Sequence, residues 1–143
     1  MLRYPNTADD AGIVAYDEAT RAGELRYVIV RESGGDVLVV LVVASGTSNV
    51  KLARLADAVG KNLAVRGVVV VTNDRRDGAI VPSGSPVRVL YGHGELIEKL
   101  AGASLEVGAS EFLQVNRAQA TAMYERVVEL AEVNPSTTAI ALY

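Results

Sequence analysis

The sequence predicts an α+β fold: a mostly antiparallel sheet with a helix on one face, followed by a C-terminal helix and strand. Three observations predict it. The run DVLVVLVVAS, Asp36 to Ser45, is Val-rich without polar alternation, the pattern of a central strand covered on both faces. Beyond it, Leu52, Leu55, Ala56, Val59 and Leu63 recur at the helical period, which aims one apolar stripe at a sheet. Much of the remaining chain is β-type runs broken by Gly and Pro, and such runs pair through turns.

The elements follow in order. A short strand near Ile13–Tyr16 precedes a longer one near Leu25–Glu32. Gly34-Gly35 between two β-branched runs signals a hairpin into DVLVVLVVAS. ASGTSN lacks the Lys and glycine spacing of a phosphate loop and reads as a strand-to-helix turn. Ser48 or Asn49 caps the helix, because a short oxygen-bearing side chain there accepts a free backbone N–H. VRGVVVVTN is a third long strand, and DRRDG is a turn. AIVPSG and PVRVLYG are short strands around a loop, with Pro82 and Pro86 suggesting edge positions. HGELIEKLAG reads as a helical turn or two, and ASLEVGASEFLQV alternates as a half-buried strand does. Asn116 caps RAQATAMYERVVELAEV, where Ala120, Met123, Tyr124, Val127, Val128 and Leu130 make an apolar stripe. TTAIALY is a last β-type run, so the order is β-β-β-α-β-β-β-β-α-β.

Composition bounds the function. The 143 residues suffice for one domain with a real core, and half of them are apolar. One Phe, six Tyr and no Trp leave that core to Val, Leu, Ile and Ala. With no Cys, disulfides, thiolate metal sites and a cysteine nucleophile are excluded. With one His, a multi-histidine metal site is excluded too, and no metal site is expected. The first ten residues have no apolar core of a signal peptide, and no apolar run is long enough to span a bilayer. A cytoplasmic location is the expectation. The net charge of −3 lacks the basic surplus of a free-standing nucleic-acid binder.

The stretch SEFLQVNRAQ, Ser110 to Gln119, poses the main question. Nothing in a bare core requires the long amide of Gln114 between Leu113 and Val115. One reading is a ligand contact. The plainer one is a buried amide bonded to strand or loop backbone. Other candidates have plain alternatives as well. Arg75-Arg76 are phosphate-contact candidates or part of a solvated turn. YGHGEL places a Gly-x-Gly before a helix start, where anions can sit, with His93 as a surface residue. Tyr16-Asp17 with Arg26 braces the first turn.

Read together, AYDEATRAGELRYVIVR, GGDVLVVLVVAS, GVVVVTNDRRDGAIVPSG and EFLQVNRAQA, in that order, resemble the RNA uracil-5-methyltransferases. These S-adenosylmethionine-dependent enzymes make 5-methyluridine in ribosomal and transfer RNA. EFLQVNRAQA is similar to a family pattern of Phe-Phe-Gln-(Val/Pro)-Asn, a variable residue, then Gln-Ala, with Leu113 in place of the second Phe. The resemblance implies that Gln114 lines the S-adenosylmethionine pocket. It also aligns Leu142 and Tyr143 with a Leu-Tyr pair on the first Rossmann strand, and implies that Tyr143 lines the same pocket. Ala141 stands where that strand carries Asp.

The family's glycine turn, acidic ribose-binding residue, catalytic Cys and general base have no counterpart in the sequence. C5 methylation needs a thiolate to add at C6 of uracil and a base to remove the C5 proton, so no catalytic residue is assigned. Residues 1–109 are expected to be a central-type α+β domain and 110–143 the truncated start of a Rossmann-like methyltransferase domain.

Three functions follow. The first is a truncated, non-catalytic relative that assists RNA binding, with S-adenosylmethionine bound weakly or not at all. The second is an interaction module whose C-terminal segment either self-associates, with a homodimer expected, or docks on a partner. The third is one half of a split methyltransferase with a missing catalytic partner.

Overall fold

In the computed structural model, residues 7–62, 64–132, 134, 136–138 and 140 are described. The element order is α1 (Thr7–Asp10), β1 (Leu25–Ser33), β2 (Asp36–Val43), α2 (Asn49–Gly60), β3 (Val65–Thr72), β4 (Val87–Gly92), β5 (Leu96–Leu100), β6 (Ala103–Val107) and α3 (Arg117–Ala131). β1 to β4 form one sheet in the order β1-β2-β3-β4, and β5 and β6 form a separate hairpin. β2 and β3 are parallel, with α2 as their crossover. The other three pairings are antiparallel, so the α+β class with a mostly antiparallel sheet holds.

The Val-rich runs explain the core. Successive strand residues point to opposite faces. On one face Val39, Leu41 and Val43 of β2 meet Val68 and Val70 of β3 under Leu52, Leu55 and Ala56 of α2. On the other, Leu38, Val40 and Val42 meet Val69 and Val71, covered by Leu96 of β5 and by Ala109. Burying each such Val or Leu side chain is worth about 1.5–3 kcal/mol. Polar alternation is absent from β2 because neither face sees water. Val59 is half-buried beside α2's core residues, and Leu63 lies outside the described residues.

Several expectations are corrected. The run near Ile13–Tyr16 is not a strand: it makes one bridge, Ala15 to Leu25. AIVPSG forms no strand, although Pro86 does precede the edge strand β4. HGELIEKLAG is not helical. It contains β5, with Leu96, Glu98 and Leu100 inward and Ile97 and Lys99 outward, and it hairpins to β6 through Ala101 and Gly102. Both turn residues have positive φ (46° and 80°), as a two-residue primed turn demands. The strand expected through Val115 stops at Val107, and residues 108–115 are irregular. Ser48 is the N-cap of α2, but its hydroxyl makes no capping bond, and Asn49 Oδ1 accepts from Arg88 Nη2 at 2.9 Å instead. Asn116 does cap α3, accepting from the Gln119 amide at 3.1 Å. In the expected last strand, Thr138 and Ile140 have no strand structure, and Ala139, Ala141, Leu142 and Tyr143 lie outside the described residues.

Candidate functional site

Residues 108–115 connect β6 to α3, and Arg31 of β1 fixes their start. Its guanidinium donates to the Ala109 carbonyl (Nη2, 3.1 Å) and the Glu111 carbonyl (Nη1, 2.9 Å). Glu111 Oε2 turns back to accept from the Gly108 amide at 2.8 Å. The Asn116 cap fixes the other end. Between these anchors the chain bows outward: Phe112 is 83% exposed and Val115 99%.

Gln114 sits in this bow and is exposed. Its amide makes no hydrogen bond to any described residue, which overturns the reading of a buried amide satisfied by backbone. It lines two cavities at once. One, of about 420 Å³, lies against Ile29, Arg31, Leu96 and Glu98. The other, of about 390 Å³, lies against Leu100, Leu105, Leu113 and Tyr124. Tyr143, the second expected pocket residue, lies outside the described residues.

An ion-pair network holds α3 against the hairpin and the sheet. Arg117 Nε is 2.7 Å from Glu98 Oε1, and Arg117 Nη1 is 3.1 Å from Glu32 Oε2. Arg117 Nη2 also donates to the Glu32 carbonyl. The Glu98 side chain is 4% exposed. Glu98 and Glu32 together raise the Arg117 pKa. The Gly35 amide, and then Arg117, lower that of Glu32. Arg31, Glu98 and Arg117 organise this region, and sequence reasoning missed all three. Inward alternation along β5 was the signal that marked Glu98.

Beyond its first turn α3 is hardly buried. Ala120 is covered, yet Met123, Tyr124, Val127, Val128 and Leu130 are 42–65% exposed. The stripe read from the sequence is real but has no cover among the described residues.

The remaining candidates lie elsewhere. Arg26 is stacked over the Tyr16 ring at 4.8 Å, and Asp17 Oδ1 accepts from the Ala19 and Thr20 amides, so these residues do brace the first turn. ASGTSN is the turn from β2 to α2. Arg75 pairs with Asp77 in the loop after β3, and Arg76 is exposed. His93 is exposed, but a strand follows it and not a helix, so YGHGEL offers no helix N-terminus. Among the described residues no cluster of His and acidic side chains is suited to a metal ion, and no helix is long and apolar enough to cross a membrane.

No protein-family model matches the chain. It is 30% identical over 134 residues to an uncharacterized RNA methyltransferase of Streptococcus mutans, covering 90% of this chain and 28% of the relative. A second, from Caldanaerobacter subterraneus, is 30% identical over 142 residues, covering 96% and 31%. The chain thus spans a little under one-third of the length of these relatives. Its fold is similar to that of Pyrococcus abyssi tRNA (uracil-54, C5)-methyltransferase, solved in complex with S-adenosyl-L-homocysteine. There the TM-score is 0.69 at 19% identity, over 87% of this chain and 29% of that one. Over about nine-tenths of its length, the chain is similar in sequence to proteins named RNA methyltransferases.

Proposed function

We propose that this chain supplies the part of an S-adenosylmethionine-dependent RNA uracil-5-methyltransferase that flanks the cofactor and presents RNA, and that methyl transfer requires catalytic groups the 143 residues do not hold. Residues 1–109 act as the central-type domain, and 110–143 begin the catalytic domain. The observation that carries the reading is Gln114. A long amide sits on a segment anchored at both ends, exposed and without a partner among the described residues, where the family resemblance calls for a cofactor contact. Phe112 and Val115 beside it face solvent. One wall of a pocket is present, and the residues at hand do not enclose a cofactor. The sequence contains no Cys, so the thiolate chemistry of C5 methylation has no nucleophile here.

Calorimetric titration with S-adenosylmethionine tests this. A Kd in the millimolar range or weaker, equivalent to less than about 4 kcal/mol, is expected. A micromolar Kd that vanishes in Gln114→Ala contradicts it.

A second reading is favoured by the uncovered stripe on α3. Contiguous apolar patches larger than a few hundred Å² are rare on soluble monomers, and two-fold pairing is the commonest way to cover a self-complementary face. In this reading the chain is a homodimer, built on α3 and the segment after it.

A further inference from the structure

At the carboxyl ends of the parallel strands β2 and β3, two cavities flank the turn that follows β2. One, of about 320 Å³, is lined by Tyr16, Arg21, Ser45 and Arg76. The other, of about 260 Å³, is lined by Gly46, Thr47, Asn49 and Arg88. In sheets with a βαβ crossover this is the end where ligands are received. It lies away from Gln114: β1 runs from here to the bow, and its two arginines, Arg26 and Arg31, are separated by about 17 Å of strand.

We propose that this end of the sheet contacts the phosphate backbone of a single RNA strand through Arg21, Arg76 and Arg88. The proposal rests on the RNA methyltransferase reading for its choice of polyanion. The site itself rests on the following geometry.

The local acids already have partners. Glu18 pairs with Arg26 and Asp77 with Arg75. Asp74 Oδ1 accepts from the Ser45 amide at 2.8 Å, and Asp17 caps its own turn. Arg21, Arg76 and Arg88 are exposed, and none of them pairs with an acid among the described residues.

The segments that carry Arg76 and Arg21 are braced by hydrogen bonds. Buried Asn73 donates to the Ala79 and Ile80 carbonyls (2.6 and 2.9 Å) and accepts from the Arg75 amide (2.8 Å). Arg26, its side chain 6% exposed, donates to the Asn73 and Arg75 carbonyls. The loop carrying Arg76 is therefore held from both sides. Arg21 is held at a left-handed φ of 59° by its amide's bond to the Asp17 carbonyl at 2.7 Å. Arg26 covers one face of Tyr16, and the ring also lines the cavity that holds Arg21 and Arg76, where a base can stack.

The charge excess is small, because Asp17, Glu18, Asp74 and Asp77 sit among the arginines, so binding is weak and strongly screened. Three single-strand phosphate contacts give a slope of log K against log salt of about −2, at about 0.7 per contact. The experiment is fluorescence anisotropy of a dye-labelled single-stranded RNA dodecamer against the 143-residue chain across a KCl series. It uses the triple variant R21Q/R76Q/R88Q and, as a control, R54Q on the exposed side of α2. Circular dichroism checks that each variant is folded.

The expected result is a slope near −2 that falls toward zero in the triple variant and is unchanged in R54Q. Equal slopes and affinities for wild type and triple variant overturn the surface while leaving an RNA role intact. Absence of wild-type binding at low salt overturns the surface and removes RNA presentation by this chain as well. Equal competition by polyglutamate of matched charge overturns the assignment to RNA in favour of an acidic peptide.

Discussion

Arg117 Nε lies 2.7 Å from Glu98 Oε1, joining the first residue of α3 to the middle of β5. The Glu98 side chain is 4% exposed, whereas that of Arg117 is 45% exposed, so water partly screens the pair and its full buried value does not apply. Arg117→Ala leaves a buried carboxylate without its cation and should cost about 1–3 kcal/mol. Glu98→Gln keeps the shape without the charge and should cost less. Urea unfolding of both variants checks this. The reverse order, or no loss in Arg117→Ala, contradicts the clamp.

Glu24 gives a pH prediction. Lys51 Nζ donates to both of its oxygens (2.8 and 3.0 Å) and the Val14 amide to Oε2 (3.0 Å). The lysine first, and then the amide, hold its pKa below the ordinary 4.5. A depressed carboxylate contributes stability above its unfolded value, and that stability is lost as pH falls through the folded one. Wild type should exceed Lys51→Met at neutral pH, by under about 1 kcal/mol for a partly exposed pair. The gap should close below about pH 4. A gap that persists undiminished at pH 2 contradicts this.

Gly67 and His93 give a packing prediction. A Cβ on Gly67 would lie 1.8 Å from the His93 carbonyl oxygen, a backbone atom that cannot swing aside. Gly67→Ala should destabilise by about 3 kcal/mol or more. Gly84→Ala meets open space and only a positive φ of 76°, at about 1–2 kcal/mol. Thermal unfolding of the two variants compares them, and a similar loss in both contradicts the close approach.

The legible parts of the fold were those where one period acts alone. β2 announced itself as doubly buried because seven apolar residues from Val37 to Val43 leave no face for water. α2 repeats its apolar residues at a spacing no strand allows. β5 was misread because Leu96, Ile97 and Leu100 satisfy a helix as well as a strand, and the strand reading turns Glu98 inward. An inward carboxylate is disfavoured until its partner is known, and Arg117 stands well along the chain. The motif singled out Gln114 but not the exposed, irregular segment that carries it. The support of that segment was not legible, since Arg31 acts on the carbonyls of Ala109 and Glu111, and main-chain acceptors leave no mark on residue type.

The exposed stripe on α3 predicts association. Met123, Val127, Val128 and Leu130 are 47–65% exposed. Light scattering across a dilution series should show a dimer at micromolar concentration, and Val127→Asp should yield a monomer. A wild-type monomer at micromolar concentration ends the homodimer reading.

The central claim is that these 143 residues present a methyltransferase surface without performing the chemistry. Incubating the chain with unmodified transfer RNA and methyl-labelled S-adenosylmethionine tests it most directly. No label at uracil C5 above a no-protein background is expected, because the sequence supplies no Cys to add at C6. Label recovered as 5-methyluridine contradicts it.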